Sequence, residues 1–419
     1  MKIFFSAGEP SGDLHAANLI RALRERSPDI ECVGYGGPEM AKSGCELHYD
    51  LTSLAVMWIL QVLLNICTFF WLVARASTYF RHHRPDAVVL VDYPGFNWWI
   101  AARAKAAGIP VFYYAPPQIW AWASWRIKKM RRFVDYVLCA LPFEQTWFSE
   151  RGCRATFVGH PFFDEVRRQQ PDQAFMASQS MGRGPIVTLL PGSRTQEVAL
   201  NLKTILKAAQ YVRQAVPDVR FRIASFKPHQ AEMARRMLRE LNFEAEVHVG
   251  RTPELMRLAT CTMAVSGSVS LELLHHRKPT VIVYQISPFG YWVQSIFRKV
   301  KYITLVNLLA ARDPFDPDNT PYHPGQADAA RIPFPEYLTC EDKSESIASH
   351  VVRWLKDDQE RARVEQQLDE LAEQVSAGGA SRKAAGQIFT LLAERKHRRI
   401  PRPHFTPGMS VKSSGGIAP

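Results

Sequence analysis

KIFFSAGEPSGD (residues 2–13) and PIVTLLPGSRTQE (residues 185–197) decide the fold. Each is a short apolar run that ends in a turn of small residues and leads into a helical pattern. Such runs read as strands buried on both faces. A glycine-bearing turn lets another group come close to the backbone, and the helix that follows offers unpaired N–H groups to an anion or a polar sugar. Working outward, the first stretch is followed by IECVGYG, DAVVLVD, PVFYYAP, DYVLCAL and ATFVGH, the second by VRFRIAS, AEVHVG, CTMAVSG and PTVIVYQ. Helical segments separate them, which predicts an α/β protein with parallel sheets. A polar, Pro/Gly-punctuated connection at 158–184 separates the two series, so the pattern predicts two Rossmann-like domains facing a cleft, plus C-terminal helices. The expected division is 1–165, 166–341, C-terminal helices at 342–395 and a disordered basic tail at 396–419.

The 419 residues, 47% of them hydrophobic, suffice for several cores. Seven cysteines, odd in number and without C-x-x-C spacing, argue against a disulfide framework or a zinc site. MKIFFSAGEP reads as a strand inside the fold rather than a leader, which points to a cytoplasmic protein. A net charge of +12 asks for an anionic partner: nucleic acid, membrane surface or a phosphorylated substrate. About half of the excess sits in Arg395, Lys396, Arg398, Arg399, Arg402 and Lys412, in a tail read as solvated with some membrane attraction.

Neither turn matches G-x-G-x-x-G or G-x-x-x-x-G-K-[ST], which argues against NAD binding and ATP hydrolysis. In the second turn, Gly192 and Ser193 can approach a phosphate while Arg194 supplies a charged fork; an ordinary turn with a surface arginine has the same sequence. Ser266-Gly267-Ser268 ends another strand, with Glu272 four residues beyond. Gly267 and Ser268 N–H groups suit a diphosphate and Glu272 the hydroxyls of a ribose, the alternative being a helix cap. Asp92 in DAVVLVDYPGFN places a carboxylate at the end of a buried strand, where a general base would act, or where an N-cap would sit. Glu9 and Asp13 are further candidates, Asp13 as a cap. His15, His160 and His275 lack a second ligand at metal spacing and read as structural or surface residues; the prolines around Asp313, Asp316 and Asp318 indicate a loop rather than a metal site.

Residues 51–74 carry no charge and reach the length of a membrane span. Lying between two strands of one sheet, they fit a buried or interfacial helix better than a spanning one. Met57, Trp58, Leu60, Leu63 and Leu64 are expected to meet the membrane, with Phe69, Phe70 and Trp71 continuing the apolar surface. Trp122, Trp125 and Arg126, within QIWAWASWRIKKMRRF, have the tryptophan-cation composition of an interface contact, and YWVQSIFRKVKY (291–302) repeats it. Single-stranded nucleic acid would use similar residues but gives the apolar segment no role, so a membrane surface, not nucleic acid, is the expected partner.

GEPSGD, LAVM, DYPGFN, PPQIWAW, LPFE, FVGHP, LLPGSR, SGSVSLE and YITLVNLLA, in this order and spacing, closely resemble lipid-A-disaccharide synthase from about Lys2 to Leu309. The resemblance implies a GT-B type fold and an inverting glycosyltransferase without cofactor or metal. Its implied partners are a UDP-2,3-diacylglucosamine donor and a 2,3-diacylglucosamine 1-phosphate acceptor, joined β(1→6) with release of UDP at the inner membrane. It assigns Asp92 as general base, Gly8, Glu9 and Ser11 to the sugar side of the cleft, and Arg194, Glu272 and Asn307 to the UDP. It also implies a homodimer that exchanges C-terminal parts. The chain departs from the pattern in lacking arginines within 56–74, in Val306, Ala311 and Ser268, and in an insertion at 311–337. A UDP-GlcNAc 2-epimerase or a peptidoglycan glycosyltransferase is the alternative enzyme, and neither needs an uncharged helix beside the acceptor domain; from a different class, a membrane-bound nucleotide-sugar-binding protein without turnover would have no rate for Asp92→Asn to remove.

Overall fold

The computed structural model describes residues 1–55, 66–318, 320–326, 329–375 and 378–399. The first sheet contains β1 (Lys2–Ala7), β2 (Glu31–Gly36), β3 (Cys45–Asp50), β4 (Ala87–Val91), β5 (Val111–Tyr114), β6 (Tyr136–Cys139) and β7 (Ala155–Phe157), in the order β3-β2-β1-β4-β5-β6-β7. The second contains β8 (Ile186–Leu190), β9 (Arg220–Ser225), β10 (Glu246–Val249), β11 (Cys261–Val265), β12 (Thr280–Gln285) and β13 (Glu336–Thr339), in the order β10-β9-β8-β11-β12-β13. Every pairing is parallel. All eleven strands expected from the apolar runs form, and two unexpected edge strands join them. β3, CELHYD, is only half-buried, and β13, EYLT, lies at the end of the proline-rich insertion, so neither shows a sustained apolar run.

Strand order reverses at β1/β4 and at β8/β11. Crossovers leave these points in opposite directions, so a crevice opens outside the carboxyl ends of the strands there. The two turns that open the sequence series occupy these crevices: Gly8–Asp13 follows β1 and Gly192–Arg194 follows β8.

The helices Ser344–Lys356 and Asp358–Val375 pack on the second domain, whereas Ala380–Arg399 returns to the first. Ala384, Ala385, Ile388 and Leu392 join the core of the first domain beside helix Pro10–Arg26. Asp164 accepts hydrogen bonds from the Gly379 and Ser381 backbone N–H groups at the crossing. The helix extends to Arg399, so residues 396–399 are helical rather than part of a disordered tail; 400–419 lie outside the described residues.

Helix Ile66–His83 buries Leu72, Val73, Ala76 and Phe80, a stripe at helical spacing. Phe69 lies on this inner side, half-buried with its ring 5.7 Å from that of Phe96, which corrects the expectation that it meets a membrane. Phe70 and Trp71 lie on the outer side, 57% and 52% exposed. Met57, Trp58, Leu60, Leu63 and Leu64 lie outside the described residues. No described helix is long and apolar enough to cross a membrane.

Candidate active site

Two adjoining cavities occupy the crevices. One, of about 570 Å³, belongs to the second domain and is lined by Gly192, Ser193, Arg194, Ser266, Gly267, Ser268 and Glu272, all but Ser266 singled out as substrate-binding from the sequence. Gly192 has φ +115°, and a Cβ there would meet the Glu197 side chain at 2.8 Å. A Cβ on Gly267 would meet nothing within 4 Å, so its backbone is open to a ligand. The Arg194 side chain is 80% exposed, its contact with Glu197 loose at 3.3 Å. Glu272 does not act as a cap: its Oε1 is buried without a hydrogen-bond partner, and burial pushes its carboxyl up to about 7 against a bond from Gln169. An unpartnered buried acceptor beside an open glycine turn suits a polyol. Phe226, exposed just past β9, and Tyr284 also line this cavity and offer faces to a flat ring; nothing in the sequence pattern set these single aromatics apart.

The second cavity, of about 530 Å³, lies between the domains and shares Ser266, Gly267 and Ser268 with the first. Ser11 and Asp92 line it from the first domain. Asp92 and Tyr93 both have φ +46°, a left-handed conformation that costs about 1–2 kcal/mol for each non-glycine residue. The turn is held from within. Asn97 Nδ2 and Tyr113 Oη both donate to the Asp92 carbonyl at 2.7 Å. Asn97 Nδ2 also reaches the Val91 and Ser6 carbonyls at 3.2 Å, while Ser6 Oγ donates to Asn97 Oδ1 at 2.7 Å. This fully buried clamp ties the ends of β1 and β4 together and fixes Asp92 at the cavity wall. Tyr93, not Asp92, occupies the N-cap position of helix Pro94–Ala106, so the capping alternative falls. Burial raises the Asp92 carboxyl above its ordinary value, opposed by a bond from its neighbour's N–H.

Glu9 is also raised, first by burial and then by the charge of Asp92, while Arg194 pulls it down. The three groups thus lie within electrostatic range, and the turns of the two domains face each other. Gly8 has a different task from the one expected. A Cβ there would meet the Tyr93 ring at 2.1 Å, so this glycine makes room for the protein's own side chain rather than a ligand. Asp13 is a cap, but of helix Pro38–Lys42: it accepts from Gly37, Glu39 and Met40 N–H groups.

Two expectations change with tertiary context. Asn307 is fully buried and bonds Phe334 and Glu336, and it lines neither cavity. Its partner Glu336, pushed up to about 7 by burial, also accepts from the Ile303 and Thr304 N–H groups, so the pair shapes the segment ahead of helix Leu305–Ala310. Conversely, His15 and His160 line the interdomain cavity beside Asp92. Their rings are 6.0 Å apart, burial lowers them to about 4 and about 3, and His15 Nδ1 has no hydrogen-bond partner. His160, far along the chain, completes this wall, so metal-ligand spacing could not reveal either residue's role. Among the described residues no three His, Cys, Asp or Glu side chains come together as a metal site.

A lipid-A-disaccharide synthetase family description matches residues 3–375. The lipid-A-disaccharide synthase of Trichlorobacter lovleyi is 32% identical over 397 residues, 94% of this chain and 98% of that protein. The one from Myxococcus xanthus is 33% identical over 394 residues, 93% and 97% of the two chains. Among solved structures, an S. aureus MnaA–UDP complex superposes with a TM-score of 0.62 at 11% identity, covering 94% of this chain and 96% of that one. Neisseria meningitidis UDP-GlcNAc 2-epimerase bound to UDP-GlcNAc gives 0.60 at 11% identity, covering 94% and 100%. Acinetobacter baumannii MurG gives 0.54 at 12%, covering 93% and 99%. These structures share the GT-B arrangement of two parallel-sheet domains.

Proposed function

This chain belongs to the lipid-A-disaccharide synthase family, and from that premise we propose that it joins UDP-2,3-diacylglucosamine to 2,3-diacylglucosamine 1-phosphate. It is a glycosyltransferase that forms a lipid A disaccharide from a nucleotide-sugar donor and a lipid acceptor. The observation that carries the assignment of roles is Asp92, clamped at the first-domain wall of the interdomain cavity, which the Ser266–Ser268 turn joins to the second-domain cavity. The uridine diphosphate takes the second-domain cavity, its ribose on Glu272 and its diphosphate on the Gly267 and Ser268 N–H groups and Arg194. The donor's C1 then lies at the shared Ser266–Ser268 wall, facing Asp92. The acceptor 6-hydroxyl attacks C1 from the opposite side, Asp92 takes its proton, and the C1–O bond to the diphosphate breaks with inversion. Arg194 and the backbone N–H groups meet the charge that develops on the leaving oxygen. Ser11 and Glu9 orient the sugar.

Both substrates are drawn from the inner-membrane surface, which is supported by an exposed aromatic rim. Trp122 and Trp125 are 46% and 58% exposed, with the Arg126 guanidinium 4.8 Å from the Trp122 ring, and Phe70 and Trp71 stand on the outer side of their helix. The test is an assay of the purified chain in detergent with both substrates and EDTA, following disaccharide and UDP by mass spectrometry. Wild type should form disaccharide, and Asp92→Asn should keep UDP affinity while losing rate by about 10²–10⁴-fold. Consumption of UDP-GlcNAc instead, or full activity of Asp92→Asn, overturns the reading.

A further inference from the structure

The first-domain wall of the interdomain cavity includes Gln118, Ala121 and Trp122 as well as Ser11 and Asp92. Those three belong to one short segment between β5 and β6, and its buried member, Trp120, fixes it from behind. Trp120 Nε1 donates to Glu144 Oε1 at 3.0 Å, and the Trp120 ring stands edge-on to Phe143 at 5.1 Å. Phe143 and Trp147 are carried by helix Pro142–Glu150, which follows β6. One further ring enters this cluster, and it comes from the other domain. Phe315, between β12 and β13, lies 5.9 Å from Trp120 and 5.7 Å from Phe143, both edge-on, and 6.4 Å from Trp147. A second contact grips the same first-domain segment: the N–H of Lys299, also between β12 and β13, donates to the Ala121 carbonyl at 2.9 Å.

The arm that presents Phe315 is braced at root and tip. Its root is helix Leu305–Ala310, which Asn307 pins to Glu336 of β13. Its tip is the turn Asp313-Pro314-Phe315-Asp316, in which Asp313 Oδ1 accepts from the Phe315 N–H at 2.8 Å and the Asp313 carbonyl from the Asp316 N–H at 3.4 Å. Aspartate at the first turn position and proline at the second are the residue types such a turn favours, so Phe315 is held out at the third with little freedom to lose. We infer that Phe315 is a positioning residue for the glycosyl transfer: seated from the second domain among Trp120, Phe143 and Trp147 of the first, it holds the Gln118–Trp122 wall at a fixed separation from the nucleotide cavity. Asp92 and Ser11 belong to one domain and the nucleotide cavity to the other, so transfer needs both walls in place, whereas UDP alone needs only the second. Each edge-on ring pair favours the contact by about two- to tenfold. The insertion at 311–337 thereby acquires a task in the reaction.

The test compares wild type, Phe315→Ala and Phe315→Leu as full chains in detergent by UDP calorimetry, by the kinetics of disaccharide formation, and by deuterium uptake at Lys299, whose N–H is bonded across the domains. Phe315→Ala should keep UDP affinity within about twofold, lose about tenfold or more in kcat with donor KM near wild type, and exchange the Lys299 N–H about tenfold faster. Phe315→Leu, which keeps an apolar side chain among the three rings, should return both kcat and exchange to within about threefold of wild type. Full turnover of Phe315→Ala overturns the inference, whether or not exchange is faster. UDP affinity falling in step with turnover overturns it too, because the arm then serves the second domain's own fold. The kinetic readout rests on the reaction proposed above and the exchange readout does not. A wild type that forms no disaccharide refutes that reaction, while Lys299 protection that depends on Phe315 leaves the tie between domains standing; disaccharide formed by wild type and Phe315→Ala alike leaves the reaction standing and refutes the role of Phe315.

Discussion

Tyr113→Phe removes a single hydroxyl far from solvent, yet it should slow catalysis more than it weakens the fold. The hydroxyl donates to the Asp92 carbonyl at 2.7 Å, and that carbonyl keeps its bond from Asn97 Nδ2, also 2.7 Å, so no acceptor is orphaned. The cost to stability is then that of one buried bond, about 0.5–1.5 kcal/mol. The left-handed Asp92–Tyr93 turn stores about 2–4 kcal/mol, and the two donors are what hold it. Losing one lets the turn relax part of the time, withdrawing the carboxylate from the cavity wall. With about 1.4 kcal/mol to a factor of ten, kcat should fall about 3–10-fold with donor KM unchanged. The acid limb of the pH–rate profile should stay in place, because the molecules that keep the turn closed, which carry the rate, bury Asp92 as wild type does. Steady-state kinetics and denaturant unfolding read both quantities, and the same change made in an Asp92→Asn background should be silent in rate, since Tyr113 acts through Asp92. An unchanged kcat alongside a loss of about 1 kcal/mol in stability would show that the clamp serves the fold alone.

Glu272 sits with its pKa pushed up to about 7 by burial, so it is largely protonated near pH 6 and ionised near pH 8. Ribose hydroxyls donate better to the ionised form, so UDP affinity should rise with pH through this range by up to about tenfold, and Glu272→Gln should flatten the difference between pH 6 and 8 in calorimetry. A slope that survives Glu272→Gln assigns it to another group. Asn307→Ala should cost about 2–3 kcal/mol in unfolding free energy by stripping its bonds to Phe334 and Glu336, with UDP affinity unchanged in the folded protein; weaker UDP binding at full stability would return Asn307 to the nucleotide site. Phe70→Ser with Trp71→Ser should weaken binding to anionic vesicles at least about tenfold and leave binding of soluble UDP alone; undiminished vesicle binding would move the membrane contact elsewhere.

Asp92 was readable because chemistry in an open parallel sheet lies at the carboxyl ends of strands, and a charge that closes an apolar run marks such an end in the sequence itself; Glu272 was readable from its place in the first turn of the helix behind the Ser266–Ser268 turn. The two glycine turns were readable for the same reason, and the repeated strand-turn-helix order yielded both domains. What depends on residues far apart in the chain was not. Gly8 answers to the Tyr93 ring, Asp13 to a helix it does not belong to, and Asn307 to Glu336. His15, on the helix after β1, and His160, just past β7, stand 145 positions apart and meet only in the assembled domain, their rings 6.0 Å apart. Helix Ile66–His83 shows the limit most simply: uncharged residues declare an apolar helix, but only packing against Phe96 decides that Phe69 turns inward while Phe70 and Trp71 remain outside. The sequence by itself determined the elements and the ends of strands where chemistry sits, because those follow from local periodicity. Tertiary structure decided which side chains share a wall, because burial and hydrogen-bond satisfaction are properties of the assembled sheets and not of any one segment.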